Sequence, residues 1–221
     1  MSIDSVLDRM AAAARRVGRN PASITLVAVS KEKSIPEIEA VYATGHRDFG
    51  ENRAHEMAEK AERLPGDIRW HFVGPLQSNK ARLVRPITCL LHSMDRESLA
   101  AAWAKGSGLP PPVLLEVNTG HERQKSGVVP EQVPVVLDRI IGFGLRVQGL
   151  MAIPPIAADP EHQRHHFALL RQLRDELWTT HPDLADLSMG MTDDFEVAIE
   201  EGATMIRVGR AIFGPRMQRS D

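Results

Sequence analysis

The stretch Val27-Ala28-Val29-Ser30-Lys31 is a short, largely β-branched run that ends in a lysine. Side chains alternate between the two faces of a strand, so Val27, Val29 and Lys31 share one face. If the valines face a core, the ammonium of Lys31 lies where the strand leaves that core. Poor hydration there disfavours the charged form and lowers the pKa of the lysine. The stretch predicts a strand that ends in a candidate amine nucleophile, although a lysine that merely extends its charge into solvent has the same pattern.

The rest of the chain alternates strand-like and helical segments. Such alternation indicates an α/β fold with a parallel sheet. Eight repeats within 221 residues predict one (β/α)8 TIM-barrel domain over residues 1–221, with an extra helix at 4–17 before the first strand. An open doubly wound sheet is the competing architecture, but its Gly-x-Gly-x-x-Gly fingerprint does not follow the first strand. The predicted strands are 24–31, 47–51, 68–73, 89–93, 113–118, 145–151, 186–189 and 204–208.

Composition excludes several classes of function. The formal charge of −2 argues against nucleic acid or an anionic membrane as the main partner. The lone cysteine, Cys89, excludes an internal disulfide and a cysteine-based zinc cluster, and is expected to be buried. The N-terminus does not read as a signal peptide, and no apolar run is long enough to span a bilayer. We expect a cytoplasmic protein without a metal, with monomer and weak homodimer both left open.

Polar residues concentrate where the predicted strands end, which is the functional end of a TIM barrel. Barrels of this type often bind phosphate at the loops after strands seven and eight. Here those loops contain the small residues Ser188, Gly190 and Gly209, which let backbone amides approach an anion. A helix starting near residues 193–194 adds the positive end of its dipole. The pattern predicts a phosphorylated carbonyl compound that faces Lys31 across the barrel mouth.

Pyridoxal 5′-phosphate (PLP) is a molecule of this kind. PLP sites pair a Schiff-base lysine with a protein group at the pyridine nitrogen. Arg207, at the end of predicted strand eight, is placed to be that group. An arginine does not give up its proton, so the pyridine nitrogen would stay unprotonated and act as a weaker electron sink.

Several motifs resemble the YggS/PROSC family of pyridoxal phosphate homeostasis proteins, in the same order and over nearly the whole chain. The motifs are Ala28–Lys31, Phe49–Asn52, Trp70–Lys80, Lys125–Gly127, Gly149–Pro154, Leu187–Asp194 and Ile206–Gly214. The resemblance implies a fold type III barrel, like the N-terminal domain of alanine racemase, with Lys31 as the lysine that carries PLP.

The resemblance also implies roles for individual residues of the mouth. It places Arg207 at the pyridine nitrogen. Residues implied around the phosphate are Ser188, Gly190 and Gly209, and residues implied near the ring are Asn52, His71 and Met151. Met191 and Arg210, which follow the strand-seven and strand-eight ends, are also predicted to bind the cofactor. Arg210 departs from the family pattern, because many members carry a threonine there that donates to the phosphate. The contribution of the Arg210 side chain is therefore left open.

Two functions remain. In the first, the chain holds PLP and buffers it or delivers it, with PLP-dependent apo-enzymes as candidate recipients. In the second, it is a PLP-dependent amino-acid racemase of the alanine racemase type, which needs a second acid/base opposite the lysine, typically a tyrosine. The only tyrosine, Tyr42, is predicted in a helix away from the mouth, which favours the first function. His71 and His92 remain candidates for the missing base, and the polar loop 121–127 is a candidate lid or exchange surface.

Overall fold

The computed structural model describes residues 2–122 and 124–215. Eight parallel strands follow one another around a closed barrel, and the last strand pairs with the first. This confirms the predicted TIM barrel and excludes the open doubly wound sheet. The strands are β1 Thr25–Val29, β2 Asp48–Glu51, β3 Arg69–Phe72, β4 Thr88–Met94, β5 Val113–Glu116, β6 Val147–Met151, β7 Asp186–Ser188 and β8 Met205–Val208.

Helices surround the barrel and connect successive strands. They are α1 Ile3–Arg16, α2 Ile35–Tyr42, α3 Ala54–Arg63, α4 Ala81–Val84, α5 Glu97–Ala104, α6 Val133–Gly142, α7 Arg164–Trp178, α8 Phe195–Glu200 and α9 Arg210–Phe213. The extra helix α1 begins with a capping box between Ser2 and Ser5 and buries one apolar face, which includes Val6 and Met10. It packs mainly against α8.

The strands are buried on both faces, as parallel strands covered by helices are. Every residue of β2, β5 and β8 is buried. A small apolar cluster lies apart from the main core, with Cys89 and Ile153 packed against it; its buried members are Leu90, Leu114, Met151 and Met205. Cys89 is only partly buried, so the expectation of a core cysteine was too strong.

The boundaries differ from the predicted ones mainly at element ends. The first strand stops at Val29, and Lys31 lies in the following turn. The predicted helix at 160–178 begins as a 3-10 turn over Pro160–Gln163 before α7. Sequence reasoning missed α9, because its four residues are too few to show a helical period. Within the described ranges, no helix is both long and apolar enough to cross a bilayer.

Candidate cofactor site at the barrel mouth

Lys31 lies two residues beyond β1, in a tight turn at the carboxyl end of the barrel. Its side chain is partly buried. The amide of Lys33 donates to the carbonyl of Ser30 at 3.0 Å, and Glu32 adopts a positive φ of 62°. Positive φ is uncommon for a residue with a Cβ and needs support from its surroundings. The turn is therefore held by contacts outside itself.

A buried ionic cluster supplies that support. Nζ of Lys60 on α3 lies 2.7 Å from each of three oxygens: the Ser30 carbonyl, Glu51 Oε1 and Glu56 Oε1. The Ser30 hydroxyl donates to Glu51 Oε1 at 2.6 Å, and the Glu32 amide donates to Glu56 Oε1 at 2.5 Å. The residues on both sides of Lys31 are thus tied to one cation on the neighbouring helix.

The cluster places an acidic group deep in the fold. Glu51 is fully buried, and burial raises the pKa of its carboxyl although the Lys60 ammonium opposes that shift. Sequence reasoning did not identify this cluster. The signal available was the spacing of Glu56 and Lys60, four residues apart on one helix.

Arg207 lies on β8, and its side chain is almost entirely buried inside the barrel. Nη1 donates to Ser188 Oγ at 2.6 Å, and Nη2 donates to the carbonyl of Ala152, just beyond β6, at 3.0 Å. Burial lowers the pKa of Arg207 to about 10, while the charges of Glu116 and Asp194 oppose the shift. The guanidinium therefore remains protonated at neutral pH and reaches the mouth end of the barrel.

Ser188 and His71 are held inside the barrel by other side chains. The Ser188 hydroxyl lies between Arg207 and His92, whose Nδ1 is 2.8 Å away. His71 contacts His92 at 2.9 Å through Nδ1 and Asp48 at 3.1 Å through Nε2. Burial holds the pKa of His92 well below its usual value, so this imidazole is neutral. The direct contacts of Ser188 with a phosphate and of His71 with the ring remain predictions.

The loops after β7 and β8 make a cradle in which two glycines lie close to neighbouring backbone or side chains. Gly190 has φ +91°, and a Cβ there would lie 2.5 Å from the Cβ of Ala198. A Cβ on Gly209 would lie 3.0 Å from the backbone oxygen of Val29, so this loop approaches the end of β1 closely. The first amides of α9 follow directly and, as at every helix start, have no carbonyl partner inside the helix. The cradle suits the phosphate that the sequence predicts.

Two other residues predicted to bind the cofactor, Met191 and Arg210, are hydrogen-bonded or ion-paired to aspartates of the same loops. The Met191 amide donates to Asp194 Oδ1 at 2.6 Å. The Arg210 guanidinium is mostly exposed and forms an ion pair with Asp193. The Arg210 side chain therefore lies on the surface in this structure, and its part in anion binding remains a prediction.

Unpartnered polar atoms at the ends of β2 and β5 fit a polar ligand. Asn52 Oδ1 and Glu116 Oε2 are buried and have no hydrogen-bond partner among the described residues. Glu116 Oε1 accepts from Ser126 at 2.8 Å, and burial raises the pKa of the Glu116 carboxyl. Met151 is fully buried in the small apolar cluster. The donor set therefore fits PLP, with an amine, a buried cation and a glycine cradle at one end of the barrel.

The loop after β5 packs on the loop after β6. Asn118 Nδ2 donates to the carbonyl of Glu122 at 2.9 Å, and Nζ of Lys125 donates to the carbonyl of Pro154 at 3.2 Å. Lys125 also pairs with Glu122. These contacts place the described part of the predicted 121–127 loop beside the mouth, and its role as a lid or exchange surface remains a prediction.

Comparisons with known proteins agree with the fold and the motifs. The family model described as "Alanine racemase, N-terminal domain" matches residues 3–217. The pyridoxal phosphate homeostasis protein of Pseudomonas aeruginosa is 42% identical over 220 residues, which cover 97% of this chain and 94% of the relative. The structure of PipY from Synechococcus elongatus with PLP bound superposes with a TM-score of 0.79 at 34% identity, covering 95% of this chain and all (100%) of PipY.

A more distant match shows the fold alone. Alanine racemase from Corynebacterium glutamicum superposes with a TM-score of 0.73 at 15% identity, covering 96% of this chain but 61% of the racemase. The relatives above 30% identity are matched over nearly their full length, as the motif order indicates. The chain therefore belongs to the family of pyridoxal phosphate homeostasis proteins, within the wider alanine racemase N-terminal domain family.

Proposed function

We propose that this chain binds PLP as a Schiff base on Lys31 and serves PLP homeostasis by buffering the cofactor or delivering it. The observation that carries the proposal is the buried guanidinium of Arg207, which reaches the barrel mouth and, among the described residues, is hydrogen-bonded only to neutral oxygens. The relatives named pyridoxal phosphate homeostasis protein, and PipY with its bound PLP, support the same conclusion.

Each part of the mouth has a task in this proposal. The Lys31 amine bonds to the aldehyde carbon of PLP, and the aldehyde oxygen leaves as water. Arg207 donates to the pyridine nitrogen and, because it keeps its proton, leaves that nitrogen unprotonated. The glycine cradle at Gly190 and Gly209 surrounds the phosphate. PLP supplies an electrophilic carbon and an electron-withdrawing ring, and an unprotonated ring withdraws electrons weakly.

This arrangement supports a carrier better than a racemase. The Tyr42 hydroxyl donates to Asp67 at 2.7 Å, at the end of the barrel opposite the mouth. His92 is fully buried and hydrogen-bonded at both ring nitrogens, so neither nitrogen faces the mouth. We further propose one domain over residues 1–221, PLP-dependent apo-enzymes as recipients, a monomer or weak homodimer, and a cytoplasmic location.

The test is the absorption spectrum of PLP-loaded protein, followed by borohydride reduction and intact-mass measurement. Wild type should show a visible band and, after reduction, a mass increase for one PLP. Lys31→Ala should show neither, and Lys105→Ala, at an exposed position, should match wild type. A wild type that takes up no PLP would refute the proposal. An amino-acid racemase assay on the loaded sample separates carrier from enzyme.

A further inference from the structure

Five buried polar side chains form one continuous row of hydrogen bonds through the inside of the barrel. Arg207 Nη1 lies 2.6 Å from Ser188 Oγ, and Ser188 Oγ lies 2.8 Å from His92 Nδ1. His92 Nε2 lies 2.9 Å from His71 Nδ1, and His71 Nε2 lies 3.1 Å from Asp48 Oδ1. The row joins β8, β7, β4, β3 and β2, and it ends at the opposite side of the barrel from the mouth.

The two ends of the row determine the direction of every bond in it. The Asp48 carboxylate only accepts, so a neutral His71 donates to it from Nε2 and accepts at Nδ1. His92 then carries its hydrogen on Nε2 and donates it to His71. His92 Nδ1 is left to accept, so Ser188, which accepts from Arg207, donates its one hydrogen to His92. With both imidazoles neutral, all four bonds point from the cation to the anion.

A proton on His71 permits a second arrangement and reverses part of the row. Both ring nitrogens of a charged imidazole donate, so His71 Nδ1 would donate to His92 Nε2. His92, still neutral, would then carry its hydrogen on Nδ1 and donate it to Ser188. Ser188 would accept from both of its neighbours in the row. Its own hydrogen would be released for another acceptor beside Arg207.

We propose that His71 is a proton-sensing positioning residue, and that through His92 it determines whether Ser188 donates into the row or toward bound PLP. The inference rests on the proposed function, since it concerns how Ser188 and Arg207 meet the cofactor. A charged His71 adds positive charge and frees a donor near an anionic ligand. Both changes favour PLP binding at lower pH.

His71 is buried beside a carboxylate whose other partner, Arg69, is exposed. Hydrogen bonds from His71 and Arg69 outweigh burial and hold the pKa of Asp48 below its usual value, so Asp48 is an anion beside the ring. Arg69 is more than half exposed and forms an ion pair with Asp48. The charged and titratable groups around His71, from β3 and from the two flanking strands and their ends, are Arg69, Asp48, His46, Cys89 and His92.

Two of these neighbours are uncharged around neutral pH. Burial raises the pKa of Cys89 to about 12, so its thiol keeps its proton. Burial also lowers the pKa of His46, whose Nε2 lies 2.8 Å from the backbone oxygen of Asp48. His46 is therefore a histidine near the same carboxylate but outside the row, which makes it a matched control.

The first experiment compares PLP affinity in wild type, His71→Asn and His46→Asn between about pH 5 and pH 8, where imidazoles titrate. In H71N the introduced amide oxygen can still accept from His92, but the side chain stays neutral. The affinity ratio of wild type to H71N should rise about two- to tenfold toward low pH, as expected for one hydrogen bond. The ratio of wild type to H46N should stay constant. A pH-independent ratio for H71N, with PLP bound, overturns the proposal.

The second experiment needs no variant and no cofactor. Nitrogen-15 NMR of the imidazoles in unloaded wild type reports which ring nitrogen carries each hydrogen. At the upper end of the pH range both rings should carry it on Nε2, and the His92 hydrogen should move to Nδ1 as His71 gains its proton. A His92 tautomer that stays the same when His71 gains its proton overturns the proposal. If wild type binds no PLP, the proposed function fails, and this measurement still decides whether the row switches.

Discussion

Two buried cations at the mouth end of the barrel are satisfied in opposite ways. Lys60 and Arg207 are both about as buried as a charged side chain becomes, with 5% and 4% of each residue exposed. Lys60 contacts two carboxylates, Glu51 and Glu56. Arg207 contacts a hydroxyl and a carbonyl, and no ion pair between described residues includes it.

The difference distinguishes a cation that stabilises the fold from a cation that we propose binds the ligand. A buried charge without a counter-ion is expensive, so a fold that keeps one retains it for some other reason. The Lys60 charge is neutralised inside the protein and leaves nothing for a ligand. The Arg207 guanidinium is hydrogen-bonded only to a hydroxyl and a carbonyl, although the carboxylates of Glu116 and Asp194 also act on its charge, and we propose that it meets a ring nitrogen at the mouth. Substitutions of the two cations should therefore affect stability very differently.

The largest effect is expected for Lys60→Met. The change leaves the carboxylate of Glu51 buried without its cation, which typically lowers the free energy of unfolding by about 3–5 kcal/mol. It also frees the turn that carries Lys31, so PLP occupancy should fall. Urea unfolding of the unloaded protein measures the first effect. Arg9→Met, at an exposed ion pair with Glu196, is the control and should lose about 1 kcal/mol or less. Equal losses in the two variants would contradict a structural role for Lys60.

Asp48→Asn should have a smaller, pH-dependent effect. The folded-state pKa of Asp48 is held below its unfolded value of about 3.9, so its stabilisation is complete above that pH and disappears as the pH falls below it. At pH 7 the free energy of unfolding of the variant should be about 1–2 kcal/mol lower than that of wild type. The loss is no larger because Arg69, one partner of Asp48, is largely exposed and its ion pair is screened by solvent. The loss should vanish in strong acid, as urea unfolding across pH would show. Asp8→Asn, at an exposed position, should give no such pH trend.

Arg207→Met should change the free energy of unfolding much less than Lys60→Met does. It should also remove the proposed contact with the pyridine nitrogen. Replacement of a buried charge that forms no ion pair by an apolar side chain of similar length relieves its desolvation penalty. This gain offsets the lost hydrogen bonds to Ser188 and Ala152. We expect a change within about 1 kcal/mol in the unloaded protein, together with an altered spectrum of bound PLP. A loss as large as that of K60M would show that Arg207 is structural.

The smallest effect is expected for Glu116→Gln at the mouth. Burial raises the folded-state pKa of Glu116 above its unfolded value of about 4.3. Wild type therefore loses stability as the pH rises from the unfolded pKa through the folded pKa. The glutamine does not ionise, so over that pH interval the free energy of unfolding of the variant should rise relative to that of wild type. The rise should be smaller than the loss expected for D48N. A difference in the free energy of unfolding that is independent of pH would contradict a raised pKa.

The alternation of strands and helices could be predicted from the sequence because each βα unit is formed by residues close together in the chain. Strand propensity, helix period and glycine stops act over a few residues, and they predict eight repeats and hence the barrel. Lys31 could be singled out for the same reason, since the valines of its strand pattern are two and four residues away. The contacts that hold its turn could not be predicted, because Glu51 and Lys60 are 21 and 30 residues from Ser30, which they contact.

The row of hydrogen-bonded side chains inside the barrel could not be predicted from the sequence. Its members lie on five strands, and the hydroxyl of Ser188 is 96 residues from the imidazole that it contacts. No periodicity predicts which side chains of different strands meet, because that depends on the register of the closed barrel. The residue types alone predicted the fold, a candidate nucleophile and a candidate cation. Only the tertiary structure decided which charges are neutralised inside the protein and which remain for a ligand, because burial and hydrogen-bond partners depend on the whole fold.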